Sequence, residues 1–345
     1  MHIELTDTAL TSESLQTIAT FAPHIYLLNL QYCGQLDNAA FKTFSKLERL
    51  RHLELYGPFL VRREAWLEFL AQKGPQLTSL RLRETPRFDR SCMDALVAHC
   101  PQLEQLGLAQ IGCLDDDGAR ALCPLTRLTY LDVSQPGISA PGVPPASLHD
   151  DSVVPLLQAV GARLSTLALN KNAKLSDRVV REGLVPTCRA LRHVSFDEMA
   201  NVTGEAWTEL FSACTDLERV SLSRCAQFND GALGALAHGS RSTLRVLSVN
   251  SVDELSSAAF AQLAEVAPPL EVLDVGFVRS VDDGVLAQLA DHIPTLQSLY
   301  IFGCNQLVRC PSDCMHLTPA SFRADRVTSV GRARPRREMR TGERG

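Results

Sequence analysis

Nothing in the chain approaches the run of about 18 apolar residues that a membrane-spanning helix needs. Met1-His2-Ile3-Glu4 has neither the basic start nor the apolar core of a secretory leader. There is no Gly-rich phosphate loop, no H-E-x-x-H and no G-x-S-x-G. These absences argue against a membrane protein, a secreted protein and the commonest nucleotide-dependent, zinc-dependent and serine-hydrolase chemistries. Aromatic residues are scarce at 6%, and the formal charge is only −5, from 34 Lys+Arg against 39 Asp+Glu. The cysteines number eleven, an odd count. Without a leader they read as free thiols rather than a disulfide frame.

What is abundant is Leu, and it is periodic. L-x-x-L-x-L, with Val, Ile or Phe allowed, begins at Ile25, Leu50, Leu77, Leu103, Leu128, Leu164, Leu191, Leu217, Leu244, Leu270 and Leu296. The eleven starts lie 25, 27, 26, 25, 36, 27, 26, 27, 26 and 26 residues apart. That is the leucine-rich-repeat period. In the short strand of each unit alternate residues face opposite sides, so the Leu positions enter a core and the intervening ones line a surface. A single unit cannot bury its apolar side alone, and stacking is obligatory. The expected fold class is α/β, a leucine-rich-repeat solenoid with parallel strands on the concave face and helices on the convex face.

Twelve residues after each motif start a helix N-cap is expected. Asp37, Asp89, Asp115, Ser176, Thr203, Asn229, Ser256 and Asp282 suit it, and Arg62 does not. The long interval delays the next cap-type residue to Asp150. It thus places an insertion at 134–149, rich in Pro and Gly, between strand and helix. It reads either as a tolerated surface loop or as a partner-binding one. Ile3 and Leu5 fit the second and third motif positions of a truncated first unit, with Ser12 at its cap position. An uncapped end suggests further sequence upstream or a partner covering it. The repeat domain is thus 1–308. From 309 to 345 the Leu period stops, with nine Arg, no Lys and four acidic residues. That is a net of +5, leaving −10 for residues 1–308. The segment reads as a basic, disordered tail, native or from an altered reading frame.

Cys33, Cys225 and Cys304 fall three residues after the last strand Leu, where Asn172 stands in another unit; a side chain there can satisfy turn carbonyls. Cys100, Cys188 and Cys214 fall at helix ends. All six read as core positions. Cys310, Cys314 and His316 lack a fourth ligand and are not assigned a zinc site. His52 and His193 are expected on the concave surface without a catalytic partner. No cofactor, metal or enzymatic activity is expected. The candidate partner-binding residues on the concave face are Tyr56, Arg81, Arg83, Asp132, Asp197, Arg219, Asp274 and Tyr300. Arg81 and Arg83 make a basic spot, and Asp132, Asp197 and Asp274 make the later part acidic. Such a mixture suits protein recognition, whereas a DNA track needs clustered Lys and Arg. Direct DNA binding by the repeat body is therefore expected to be weak.

The stretch Leu28-Asn29-Leu30-Gln31-Tyr32-Cys33-Gly34-Gln35-Leu36-Asp37 resembles the cysteine-containing leucine-rich repeats of F-box-type proteins. Ala22-Pro23-His24, Leu50-Arg51-His52-Leu53-Glu54-Leu55 and Glu64-Ala65-Trp66-Leu67-Glu68-Phe69 resemble the fungal leucine-rich-repeat subunit of global-genome nucleotide excision repair. The resemblance covers roughly residues 1–307. It implies a nuclear, non-catalytic scaffold working with a Swi/Snf-type ATPase and a cullin ubiquitin ligase that contains an elongin-C-like adaptor. The alternative is a ligase substrate receptor in cell-cycle control or protein turnover, nuclear or cytosolic. No F-box is present. Ala95-Leu96 and Cys100 resemble an elongin-binding box, but Glu104 stands where an apolar residue is wanted, and the repeat consensus itself produces the pattern.

Overall fold

The computed structural model describes residues 1–6, 9–134 and 147–307. Most of the Pro-rich insertion, and everything from 308 onward including Cys310, Cys314 and His316, lies outside them. The strands are β1 His2–Thr6, β2 Leu27–Gln31, β3 His52–Tyr56, β4 Ser79–Arg83, β5 Gln105–Ala109 and β6 Tyr130–Asp132. They continue as β7 Thr166–Ala168, β8 His193–Ser195, β9 Arg219–Ser221, β10 Val246–Ser248, β11 Val272–Asp274 and β12 Ser298–Tyr300. All pair in parallel and in chain order, forming one twelve-stranded sheet. The register aligns the second motif position across the units, from Leu28 and Leu53 through Leu80 and Leu106 to Leu273 and Leu299. These side chains and the first-position residues are buried, as the alternation requires. The architecture is the expected α/β solenoid. Ile3 and Leu5 of β1 stay half-buried because no described strand stacks on the outer side of β1.

The helices follow from their caps. Asp37, Asp89, Asp115, Thr203, Asn229, Ser256 and Asp282 each accept a backbone N–H of the helix they open. Ser176 accepts the N–H of Arg178 in the same way. Arg62 makes no side-chain cap bond, as its side chain requires. Two positions differ from expectation. The first helix, α1 (Ser12–Phe21), is capped by Thr11, whose hydroxyl accepts the N–H of Ser14. The helix after the insertion, α6 (Asp150–Val160), has His149 at its cap, whose ring meets the Asp116 carboxylate and makes no bond to the helix's own N–H groups.

The two displaced residues have another task. The Ser12 hydroxyl accepts the N–H of Asp37, and the Asp150 carboxylate accepts the N–H of Ser176, each in the following unit. Asn38, Asp116, Asp177 and Asp230 do the same for Arg62, His149, Thr203 and Ser256. The first helical residue of one unit thus ties down the N–H that precedes the next helix, which would otherwise have no partner. The bond from the Ser12 hydroxyl, then the N–H of Ala39, hold the Asp37 carboxyl below its usual value.

A second ladder closes the strands. Tyr32, Glu84, Gln110, Lys171, Glu198, Arg224, Ser251 and Phe277 have φ between 52° and 61°, and Gly57 and Gly303 share the conformation. All stand seven residues after a motif start. A left-handed non-glycine residue costs roughly 1–2 kcal/mol. An added hydrogen bond offsets it in each unit, as from the N–H of Tyr32 to the carbonyl of Tyr56 and from Phe277 to Phe302.

On the convex side a π-helical turn, Val179–Leu184, runs into α7 (Val185–Thr187). Pro186 has no N–H to return to the Glu182 carbonyl. Gln158 of the preceding unit donates to that carbonyl instead, at 3.1 Å. Leu96 and Cys100 are fully buried between units, so the box-like pattern there is spent on packing.

Candidate protein-docking face

The strand register converts the intervening residues into rows across the concave face. One row runs Glu54, Arg81, Gly107, Asp132 over β3 to β6. Its continuation is Ala168, Ser195, Ser221, Ser248, Asp274 and Tyr300. The eight residues expected here are all on or directly beside this strand face. They do not form one site.

Tyr56, Arg81 and Arg83 come together at β3 and β4. The Arg81 guanidinium carbon lies 4.1 Å from the ring centre of Tyr130, and that of Arg83 lies 6.0 Å from the ring of Tyr56. Both distances fit cation–π stacking. Arg81 donates to Gln105 Oε1 at 2.9 Å, and Arg83 donates to Gln110 Oε1 at 2.8 Å. Tyr32 meets Tyr56 edge-on, with centroids 6.5 Å apart. Burial, then the neighbouring Glu54, push the Tyr56 hydroxyl far up. Burial pushes Tyr130 up to about 12, and burial with the Arg81 charge pushes His52 down. At neutral pH Tyr56, Tyr130 and His52 are therefore uncharged, and the arginines supply the patch's positive charge. Tyr130 and Gln105 belong to this patch although sequence reasoning passed over them. Tyr130 follows its motif Leu by two residues, as His52 does, so the pattern already marked it as surface-facing.

The later acidic residues have internal partners. Asp197 accepts the hydroxyl of Ser221 and the N–H of Ser223. Asp274 accepts the Ser248 hydroxyl and the N–H of Gly276. Asp132 accepts the N–H of Ser134. Asn170 plays the same part for Ser195 and Asp197. These side chains are half-buried, and those of Asn170, Asp197 and Asp274 bind neighbouring units, which makes them poorer partner anchors than their charge suggests. Arg219 is exposed on β9. Tyr300 is exposed at the far end beside Phe277 and Phe302, whose rings meet edge-on at 5.0 Å.

The cysteines are structural where they are described. The Sγ atoms of Cys33, Cys225 and Cys304 donate to the carbonyls of Leu5, Phe196 and Val275 of the preceding units. Burial pushes the thiols of Cys100, Cys188 and Cys225 up to about 12 and that of Cys214 up to about 11. Thiolate, the reactive form, is thus suppressed. Maleimide labelling of the native chain, mapped by mass spectrometry, should modify half-buried Cys123 well before these four. Equal rates for Cys225 and Cys123 would contradict this account. Among the described residues no group of three or more His, Cys, Asp and Glu could hold a metal ion, and no helix is long and apolar enough to cross a membrane.

No protein-family model matches the chain. It is 31% identical over 304 residues to the DNA repair protein rhp7 of Schizosaccharomyces pombe, covering 87% of this chain and 53% of that protein. It is 33% identical over 301 residues to the DNA repair protein RAD7 of Saccharomyces cerevisiae, covering 85% and 52%. The chain therefore spans about half the length of the curated relatives it matches. Among solved structures, the complex of Rad7 and Elc1 in yeast matches with a TM-score of 0.78 at 28% identity, over 95% of this chain and 80% of that one. An internalin of Listeria monocytogenes matches with a TM-score of 0.50 at 18% identity, over 89% and 74%, a likeness of fold alone.

Proposed function

We propose, on the premise that this chain is a homologue of the fungal Rad7/Rhp7 DNA repair proteins, that it is a non-catalytic recognition subunit in nucleotide excision repair in the nucleus. The observation that carries the reading is the match of almost the whole repeat array to yeast Rad7 in its complex with Elc1. In this proposal the solenoid displays a rigid concave face to a protein partner and joins a cullin-adaptor assembly, while an ATPase repair factor does the energy-dependent work. The chemistry of the face agrees: its charges are mixed and its anchors are Tyr and Arg, which are enriched at protein interfaces. The body of residues 1–308, at net −10, is poorly suited to neutralising phosphates. DNA contact then falls mainly to the partners.

Affinity purification of the tagged, full-length protein from its own cells, before and after ultraviolet irradiation, tests the reading. The expected result is co-recovery of an ATPase, damage-repair factors and a cullin with its adaptor. A cullin and adaptor recovered without any repair factor would replace it with a ligase receptor acting elsewhere.

A further inference from the structure

We infer that the strand face around Arg81 is a receptor for a single carboxylate carried on an apolar segment of a partner protein. The inference deepens the proposed function by naming what the concave face would hold, and so rests on that face being the docking side.

Arg81 is set up unlike the exposed arginines of the surface. Its guanidinium carbon lies over the Tyr130 ring, one edge is held by Gln105, and its Nε is buried without a hydrogen-bond partner. Its strand neighbour Arg83 pairs with Glu84, whereas Arg81 makes no ion pair among the described residues. With Nε buried, the N–H donors of the two Nη groups that Gln105 does not take are the ones that can meet a carboxylate. Stacking has already restricted the Arg81 rotamers, so little freedom remains to be lost on binding.

The floor beneath it is made by an absence. Gly107 stands between Arg81 and Asp132 in the row, and a Cβ there would lie 3.4 Å from Arg81 Cβ and 3.5 Å from its Cγ. Any longer side chain would occupy the space through which Arg81 crosses toward Tyr130. Gly107 is buried, and its φ is not in the left-handed region. Backbone conformation therefore does not call for glycine here, and an added Cβ would sit in ordinary van der Waals contact with Arg81.

The surroundings define the rest of the ligand. Arg81 stands against Tyr130, and beside this pair Arg83, Tyr56 and Tyr32 make ring contacts in turn. They lead to an apolar ledge on the rim: Gly57, at φ +68°, lies under the rings of Tyr32 and Phe59, and Phe59 and Leu60 are exposed. A large apolar side chain beside the carboxylate would cover that ledge. Glu54 and Asp132 flank Arg81 in its own row. Both acids oppose the approach of a polyanion, which disfavours nucleic acid at this spot.

The test uses the purified 345-residue chain and a phage-displayed library of random 12-residue peptides. The expected result is a set of binders sharing one Asp or Glu next to an aromatic residue or Leu. Their synthetic versions should lose at least tenfold in affinity, by fluorescence polarisation, when that acid becomes its amide. They should lose as much on Arg81→Gln, with no further loss when both changes are combined, and less on Arg81→Lys. Thermal melts of the two Arg81 variants matching the parent separate lost binding from lost fold. No binders, binders without a shared acid, undiminished binding to Arg81→Gln, or equal binding of a twelve-residue oligothymidylate would each overturn the inference. Because no repair factor enters the assay, its failure is distinct from failure of the affinity purification.

Discussion

Replacing Trp207 by alanine should cost about 3–5 kcal/mol, the range for removing a buried Trp or Phe side chain. Trp207 lies in α8 (Gly204–Ala213) and is fully buried. Its ring stacks on Phe196 of its own unit, with centroids 5.7 Å apart, and on Phe211 at 5.9 Å. Phe211 in turn meets Phe228 of the next unit edge-on at 6.0 Å. The indole is therefore part of the coupling between units as well as the core of one. In a solenoid, stability is close to a sum of unit and nearest-neighbour terms. The loss should accordingly be local: urea unfolding should broaden or split, and hydrogen exchange should rise first around α8. Trp207→Phe should cost far less, because the indole Nε1 is buried without a hydrogen-bond partner and phenylalanine removes that burden. A Trp207→Ala variant within about 1 kcal/mol of the parent would show that the site can collapse and that this packing account is wrong.

Asn172→Ala should cost about 2–3 kcal/mol, since two buried carbonyls would lose their donor. The Asn172 amide donates to Val133 O at 3.1 Å and to Leu169 O at 3.0 Å. Val133 belongs to the unit from which the insertion departs, so this one side chain ties that unit to its successor across the long interval. Asn172→Cys should restore part of the loss. The thiols of Cys225 and Cys304, in the same place in their units, each donate to a carbonyl of the preceding unit, and the Asn makes one bond more. Chemical denaturation of the three proteins checks the order Asn, Cys, Ala; an alanine variant as stable as the cysteine variant would remove the hydrogen bonds from the explanation.

The two substitutions sit at opposite ends of what could be read in advance. Asn172 was legible because its position recurs, filled by Cys33, Cys225 and Cys304, and a small donor at a fixed offset has few other purposes. The Trp207 stack was not, because helical spacing says that a side chain enters the core but not what it meets there. The same division holds on the concave face. Tyr56, Arg81 and Arg83 were marked by alternation along their strands, and the structure groups them. Asp197 and Asp274 were marked by the same alternation, yet their charge is directed to Ser221, Ser223, Ser248 and Gly276. Those bonds join residues 24 to 26 apart in sequence, or two apart where the chain leaves its strand. Alternation gives the side of the sheet on which a group stands and is silent about such partners.

The chain's Leu period by itself determined the solenoid, its unit boundaries, the parallel order of the strands and most helix starts. One unit's apolar side can be buried only by another, so periodicity dictates stacking. The tertiary structure alone decided the rest. It put Ser12 and Asp150 one residue inside their helices, as acceptors for the next unit rather than caps for their own. It held eight non-glycine residues in the left-handed turn, where each cost is met by a hydrogen bond to a neighbouring unit. And it laid Arg81 past Gly107 onto Tyr130, two strands away. Each of these is a relation between units, and the distance across a solenoid from one unit to the next is set by packing, which no single stretch of sequence contains.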